Sequence, residues 1–149
     1  MAMTFEEVEM ASVAPNPAAS GRVPAGRLLR VGVLAAVLSA SANTLVFAIA
    51  SSLLGTVVIP PDGVVTYGQV VGASMAGAVG AAAIFAFIGR FTRRPIRIFW
   101  GVATVGLLLS FLPIALAGVT GSSAGTLALM HLVAAVTDVG LLTRLGRKA

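Results

Sequence analysis

Four polar side chains stand inside long apolar stretches of this chain: Asn43, Ser110, His131 and Asp138. Burying such groups away from water is costly, so each is held by a hydrogen bond or kept for a task. His131, Ala134, Ala135 and Asp138 follow i, i+3, i+4, i+7 spacing, which places them on one helical face. The two alanines leave room there for a close helix or for water. One chemistry this allows is a polar pocket or a proton or ion path. The other is polar glue, with a neutral His131 bonded to Asn43 or Ser110 and fixing helix register. Asp138 then reaches toward Arg144 and the nearby membrane interface. His131 and Asp138 lie about 10.5 Å apart along the axis, beyond direct hydrogen-bond reach, so a relay needs an intermediate group. The residues favour glue.

Catalysis finds little material. There is no Cys and a single His, so metal sites with several His, Cys or acidic ligands are out of reach within one chain. A Ser110–His131 pair at membrane depth reads as a hydrogen bond rather than a nucleophile and its base. Haem held by two histidines would require a symmetric dimer sharing His131. The glycines form no phosphate-binding strand–turn–helix. The chain is read as non-enzymatic, with no metal and no cofactor.

The elements that must position these residues are set by charge. All ten Lys and Arg fall into three clusters: Arg22/Arg27/Arg30, Arg90/Arg93/Arg94/Arg97 and Arg144/Arg147/Lys148. Between them run Val31 to Ile59, Val64 to Gly89 and Ile98 to Thr137. The composition is 58% hydrophobic and 10% charged, too little charge for the surface of a soluble domain, where about a quarter is usual. A span takes roughly 20 residues, so the third run must fold back on itself, at Thr120-Gly121-Ser122-Ser123. This predicts an all-α bundle of four transmembrane helices, near residues 31–56, 67–89, 97–118 and 124–143. Four spans bring every basic cluster to one side, which the positive-inside rule assigns to the cytoplasm along with both termini. Arg30, Arg90, Arg93, Arg94, Arg97 and Arg144 then set topology and meet anionic lipid headgroups. The formal charge of +5 therefore implies a bilayer and not nucleic acid. Nine Arg against one Lys, with abundant Ala, Gly and Val, suggest a GC-rich bacterial genome and hence a bacterial plasma membrane.

Depth can be read from the inner anchors. Asn43 is thirteen residues beyond Arg30, Ser110 thirteen beyond Arg97, and His131 thirteen before Arg144. All three then sit about 20 Å above the anchors, and Gly77 leaves a gap in the second helix at that level. That helix is small on nearly every face, with Ala73/Gly77/Ala81 and Ala76/Gly80 ridges. Such ridges let helices approach closely, inside the bundle or across a dimer. Pro113 is expected to kink the third helix. Phe99 and Trp100 are expected near the inner interface and Tyr67 near the outer one. Residues 1–26 form an acidic then Ala/Pro/Ser-rich cytoplasmic tail, ahead of a membrane domain over 27–149. A cleaved signal peptide ending near Ala40-Ser41-Ala42 is the rival reading of the first run. It is disfavoured because the apolar stretch continues to Ile59.

Several segments resemble a family of small four-helix bacterial membrane proteins known only as a domain of unknown function. They are Gly89-Arg90-Phe91-Thr92-Arg93-Arg94-Pro95, Leu108-Leu109-Ser110-Phe111-Leu112-Pro113, Leu129-Met130-His131-Leu132-Val133-Ala134-Ala135 and Leu141-Leu142-Thr143-Arg144-Leu145. The likeness covers roughly Leu28 to Gly146. It implies a four-helix membrane architecture and no activity. Four-helix drug exporters carry an acidic residue in their first helix that is missing here. The expected function is a structural or accessory membrane protein, acting through contacts with its own copies or a larger membrane complex. The alternative is a small proton- or ion-coupled transporter using His131 and Asp138.

Overall fold

The computed structural model describes residues 25–61, 63–119 and 121–146. Four helices account for most of them: α1 (Ala25–Leu54), α2 (Tyr67–Phe91), α3 (Pro95–Leu116) and α4 (Gly121–Leu145). Each is long and apolar enough to cross a membrane, so the four candidate spans suggest a multi-pass membrane protein. Their limits follow local chemistry. Thr66 caps α2 in a capping box, accepting from the Gln69 amide while its own N–H donates to Gln69 Oε1 at 2.8 Å. Pro95 occupies the first position of α3, where its missing N–H leaves no bond unmade. Pro113 lies within the same helix, which ends three residues later at Leu116.

The chain runs up and down through the bundle, as three apolar clusters establish. At one end Val31 of α1, Phe85 and Ile88 of α2, Phe99 of α3, and Val139 and Leu142 of α4 pack together. Ala35, Ala36 and Ala78 meet in the middle. Phe47, Val57, Val70, Val119, Leu127 and Met130 fill the far end. Arg27, Arg30, the Arg90–Arg97 group and Arg144 therefore gather at one end, with the α1–α2 and α3–α4 turns at the other. Arg27 Nε donates to the Leu145 carbonyl at 3.0 Å, tying the start of α1 to the last turn of α4. α1 is the central helix, packed chiefly against α2 and α4. α3 is peripheral and contributes one buried residue, Phe99, set edge-on against Phe85 with ring centroids 4.9 Å apart.

Several features depart from the sequence-based expectations. The α1–α2 connection is a small antiparallel hairpin, β1 (Val58–Ile59) with β2 (Gly63–Val64), pairing Val58 with Val64 and Ile59 with Gly63. Gly63 takes φ +93°, a left-handed conformation that side chains disfavour. Ser123 Oγ accepts from the Val58 amide at 3.1 Å, fastening the hairpin to the first turn of α4. The second turn begins earlier than Thr120. α3 closes with Gly118 at φ +68° and the Val119 amide bonded back to the Ile114 carbonyl at 3.3 Å, so it is Gly118 that stops the helix. Phe99 turns into the core and leaves Trp100 exposed beside it. Ala25 and Gly26, expected in the amino-terminal tail, already belong to α1; the rest of that tail lies outside the described residues.

Candidate functional site

A cavity of about 440 Å³ opens at the hairpin end, between α2 and α4 and against α1. The lack of side-chain volume on facing helices creates it. Ala73 and Gly77 on α2 and Ala134 on α4 line it, and a Cβ built at Gly77 meets no atom within 4 Å. Ile59, Gly63, Val64 and Val65 of the hairpin cover one side, while Val70, Leu127 and Met130 supply apolar wall. Among the described residues the polar lining consists of Asn43, Gln69, Ser74 and His131.

Asn43 is the best-buried of these, at 4% exposed. Its Nδ2 donates to Ser74 Oγ at 2.9 Å, which among the described residues is the hydrogen bond joining two side chains across helices. Its carbonyl oxygen Oδ1 has no partner. Thr44, Thr92, Thr126 and Thr143 instead donate to the carbonyl four residues back in their own helices. His131 is half-buried and does likewise: its Nδ1 lies 2.7 Å from the Leu127 carbonyl. Because a carbonyl only accepts, Nδ1 carries a proton, and in the neutral ring Nε2 is an acceptor. The expected bond from His131 to Asn43 or Ser110 is replaced by this local one. The imidazole faces Phe111 of α3, with centroids 6.2 Å apart.

Ser110 does not join the group. Its Oγ donates to Leu107, three residues back in α3, at 2.6 Å, and it is absent from the cavity wall. The shared depth of Asn43, Gly77 and His131 thus translates into a shared cavity, whereas Ser110 points its chemistry at its own helix. Asp138 is separate again. It is 5% exposed, with the Ser39 hydroxyl of α1 facing its carboxylate. The approach stops short of a hydrogen bond, because Ser39 Oγ and Asp138 Oδ1 are both without partners. Ala134 and Ala135 lie between His131 and Asp138 along the helix, and neither offers a polar side chain. Among the described residues no group of three His, Cys, Asp or Glu stands close enough to hold a metal ion.

Sequence reasoning missed Ser39 and Ser74. Ser39 sits four residues before Asn43 and four after Ala35, a spacing that already puts it on the buried stripe of α1. Ser74 was legible only as a small residue, because its role depends on which face of α2 meets α1. That face is Val70, Ser74, Ala78, Phe85 and Ile88. Of the expected packing ridge, Ala81 is partly buried beside the arginine-end cluster. Ala73 and Gly77 border the cavity, and Gly80 is exposed with open space around it. A close α1–α2 approach is made elsewhere, at Gly32, where an added Cβ would lie 3.2 Å from Ala82 Cβ. Arg30, Arg90, Arg93, Arg94, Arg97 and Arg144 are all exposed.

A family model described as "Family of unknown function (DUF6069)" matches residues 23–148. No curated protein and no solved structure matches the chain.

Proposed function

The chain belongs to the DUF6069 family, and from that premise we propose a non-enzymatic, multi-pass protein of the bacterial plasma membrane. Both chain ends lie in the cytoplasm, and the protein serves as a structural or accessory helix bundle. The gathering of the arginines at one end supports this orientation, since cytoplasmic ends of spans are enriched in Arg. Anionic headgroups of the inner leaflet are the natural counter-charge. The observation that carries the non-catalytic reading is the separation of the two ionisable groups. His131 is bonded to its own helix, Asp138 is packed against Ser39, and two alanines intervene. A partner protein or a second copy meets the bundle through the exposed apolar length of α3 and the outward small face of α2, including Gly80.

A second reading, a small proton- or ion-coupled transporter, draws on one observation: a carboxylate at membrane depth with an unpartnered oxygen is expensive to keep. Purified protein in liposomes separates the two. The accessory reading expects no pH-driven flux, and no change on His131→Ala or Asp138→Asn. It also expects a partner or self-assembly retained in gently solubilised native membranes. Flux that both substitutions abolish would replace it with the transporter.

A further inference from the structure

We infer that the acidic segment Glu6-Glu7-Val8-Glu9 of this chain docks on the arginines of the α2–α3 turn. It competes there with anionic lipid headgroups, and this competition rests on the headgroup contact proposed above for that end. Charge divides the chain unevenly. Three of its five acidic residues fall in that one segment, and Arg22 is the one basic residue before Ala25. Residues 1–24 therefore carry a formal −2, three Glu against one Arg, while residues 25–149 carry +7, nine Arg and Lys against Asp62 and Asp138. The turn concentrates the opposite sign: Arg90, Arg93, Arg94 and Arg97 lie within eight positions and all four are exposed. Asp138, the one carboxylate among the described residues, does not neutralise them, because it is buried and faces Ser39. The fold then supplies proximity. α1 and α2 are packed neighbours at the arginine end, where Val31 shares a cluster with Phe85 and Ile88. The start of α1 thus lies about one helix spacing, ~8–10 Å, from the end of α2. The fifteen residues between Glu9 and Ala25 span at most about 50 Å extended and average about 20 Å as a relaxed chain, so the turn is within reach. Exposed ion pairs are individually weak. Three on one segment, held by a tether at roughly millimolar effective concentration, act together. Orientation in the membrane does not enter, since the segment and the turn share a side whichever way the bundle faces.

The test uses the cysteine-free full chain, one copy per lipid nanodisc, with two cysteines introduced: Val8→Cys, and Phe91→Cys at the exposed turn. In phosphatidylcholine at low salt a short bismaleimide should join them within one chain. Val8→Cys paired with Val64→Cys at the hairpin end should stay unjoined. Glu6→Gln, Glu7→Gln and Glu9→Gln together should slow the joining about tenfold, the effect of three weak pairs removed at once. Molar salt, where the Debye length is about 3 Å, should do the same. Replacing phosphatidylcholine with phosphatidylglycerol should also slow it, and the triple glutamine variant should bind phosphatidylglycerol at a lower mole fraction than the parent. Joining that ignores the glutamines or the salt, or no joining in phosphatidylcholine, would overturn the docking. Sensitivity to both with indifference to phosphatidylglycerol would retain the docking and remove the headgroup reading instead.

Discussion

Asn43 and Asp138 are both buried polar residues on inward faces, yet they behave oppositely because only one has found a partner. The Asn43–Ser74 bond crosses between α1 and α2, and cross-helix bonds of this kind are worth ~0.5–2 kcal/mol in membranes. Ser74→Ala should therefore lower stability by that amount, measured by unfolding in mixed micelles. Combined with Asn43→Ala it should add little more, because the same interaction is already gone. Asp138 carries an oxygen with no partner, so removing the charge relieves desolvation rather than breaking a bond. Asp138→Asn should melt no lower than the parent. A clear drop would mean that the carboxylate itself holds the bundle together. The polar residues themselves were easy to find in the sequence, since hydropathy exposes any Asn, His or Asp in an apolar run. Their partners were not, because Ser39 and Ser74 look like ordinary small residues until the faces of α1, α2 and α4 are matched.

At the scale of elements, close approach and termination decide stability more than helix propensity does. Gly32 faces Ala82 across the α1–α2 contact and Gly146 sits under Phe85, where an added Cβ would collide with the Leu142 carbonyl and lie 2.8 Å from the ring. Gly32→Leu and Gly146→Ala should each lower the melting temperature, whereas Gly80→Ala, in open space, should leave it unchanged. Thr66→Ala removes the capping box of α2 and should cost about 1 kcal/mol. The ridge Ala73/Gly77/Ala81 illustrates the limit of pattern reading. Spacing identifies a smooth helix face, but a smooth face can border a neighbour, a cavity or lipid. Here the single ridge borders both a cavity and the apolar cluster at the arginine end.

For the whole molecule, the two ends differ in charge as well as in structure. The arginine end holds both described chain ends, and the hairpin end holds the cavity. The absence of cysteine makes this testable by single-cysteine labelling in cells. Pro61→Cys at the hairpin should react with an impermeant maleimide from outside. Arg93→Cys and Arg144→Cys should react only after permeabilisation. The reverse pattern would invert the orientation and move the cavity to the cytoplasmic side.

Hydropathy and charge are one-dimensional quantities, so the chain alone determined the number of long apolar helices and their order. It also determined the return of the basic clusters to one end, which follows from counting spans. What packs against what is a matter of rotation about helix axes, and small residues on nearly every face of α2 leave that rotation unmarked. Only the tertiary structure decided that Ser74 meets Asn43, that Ser110 stays out, and that Gly77 opens onto space.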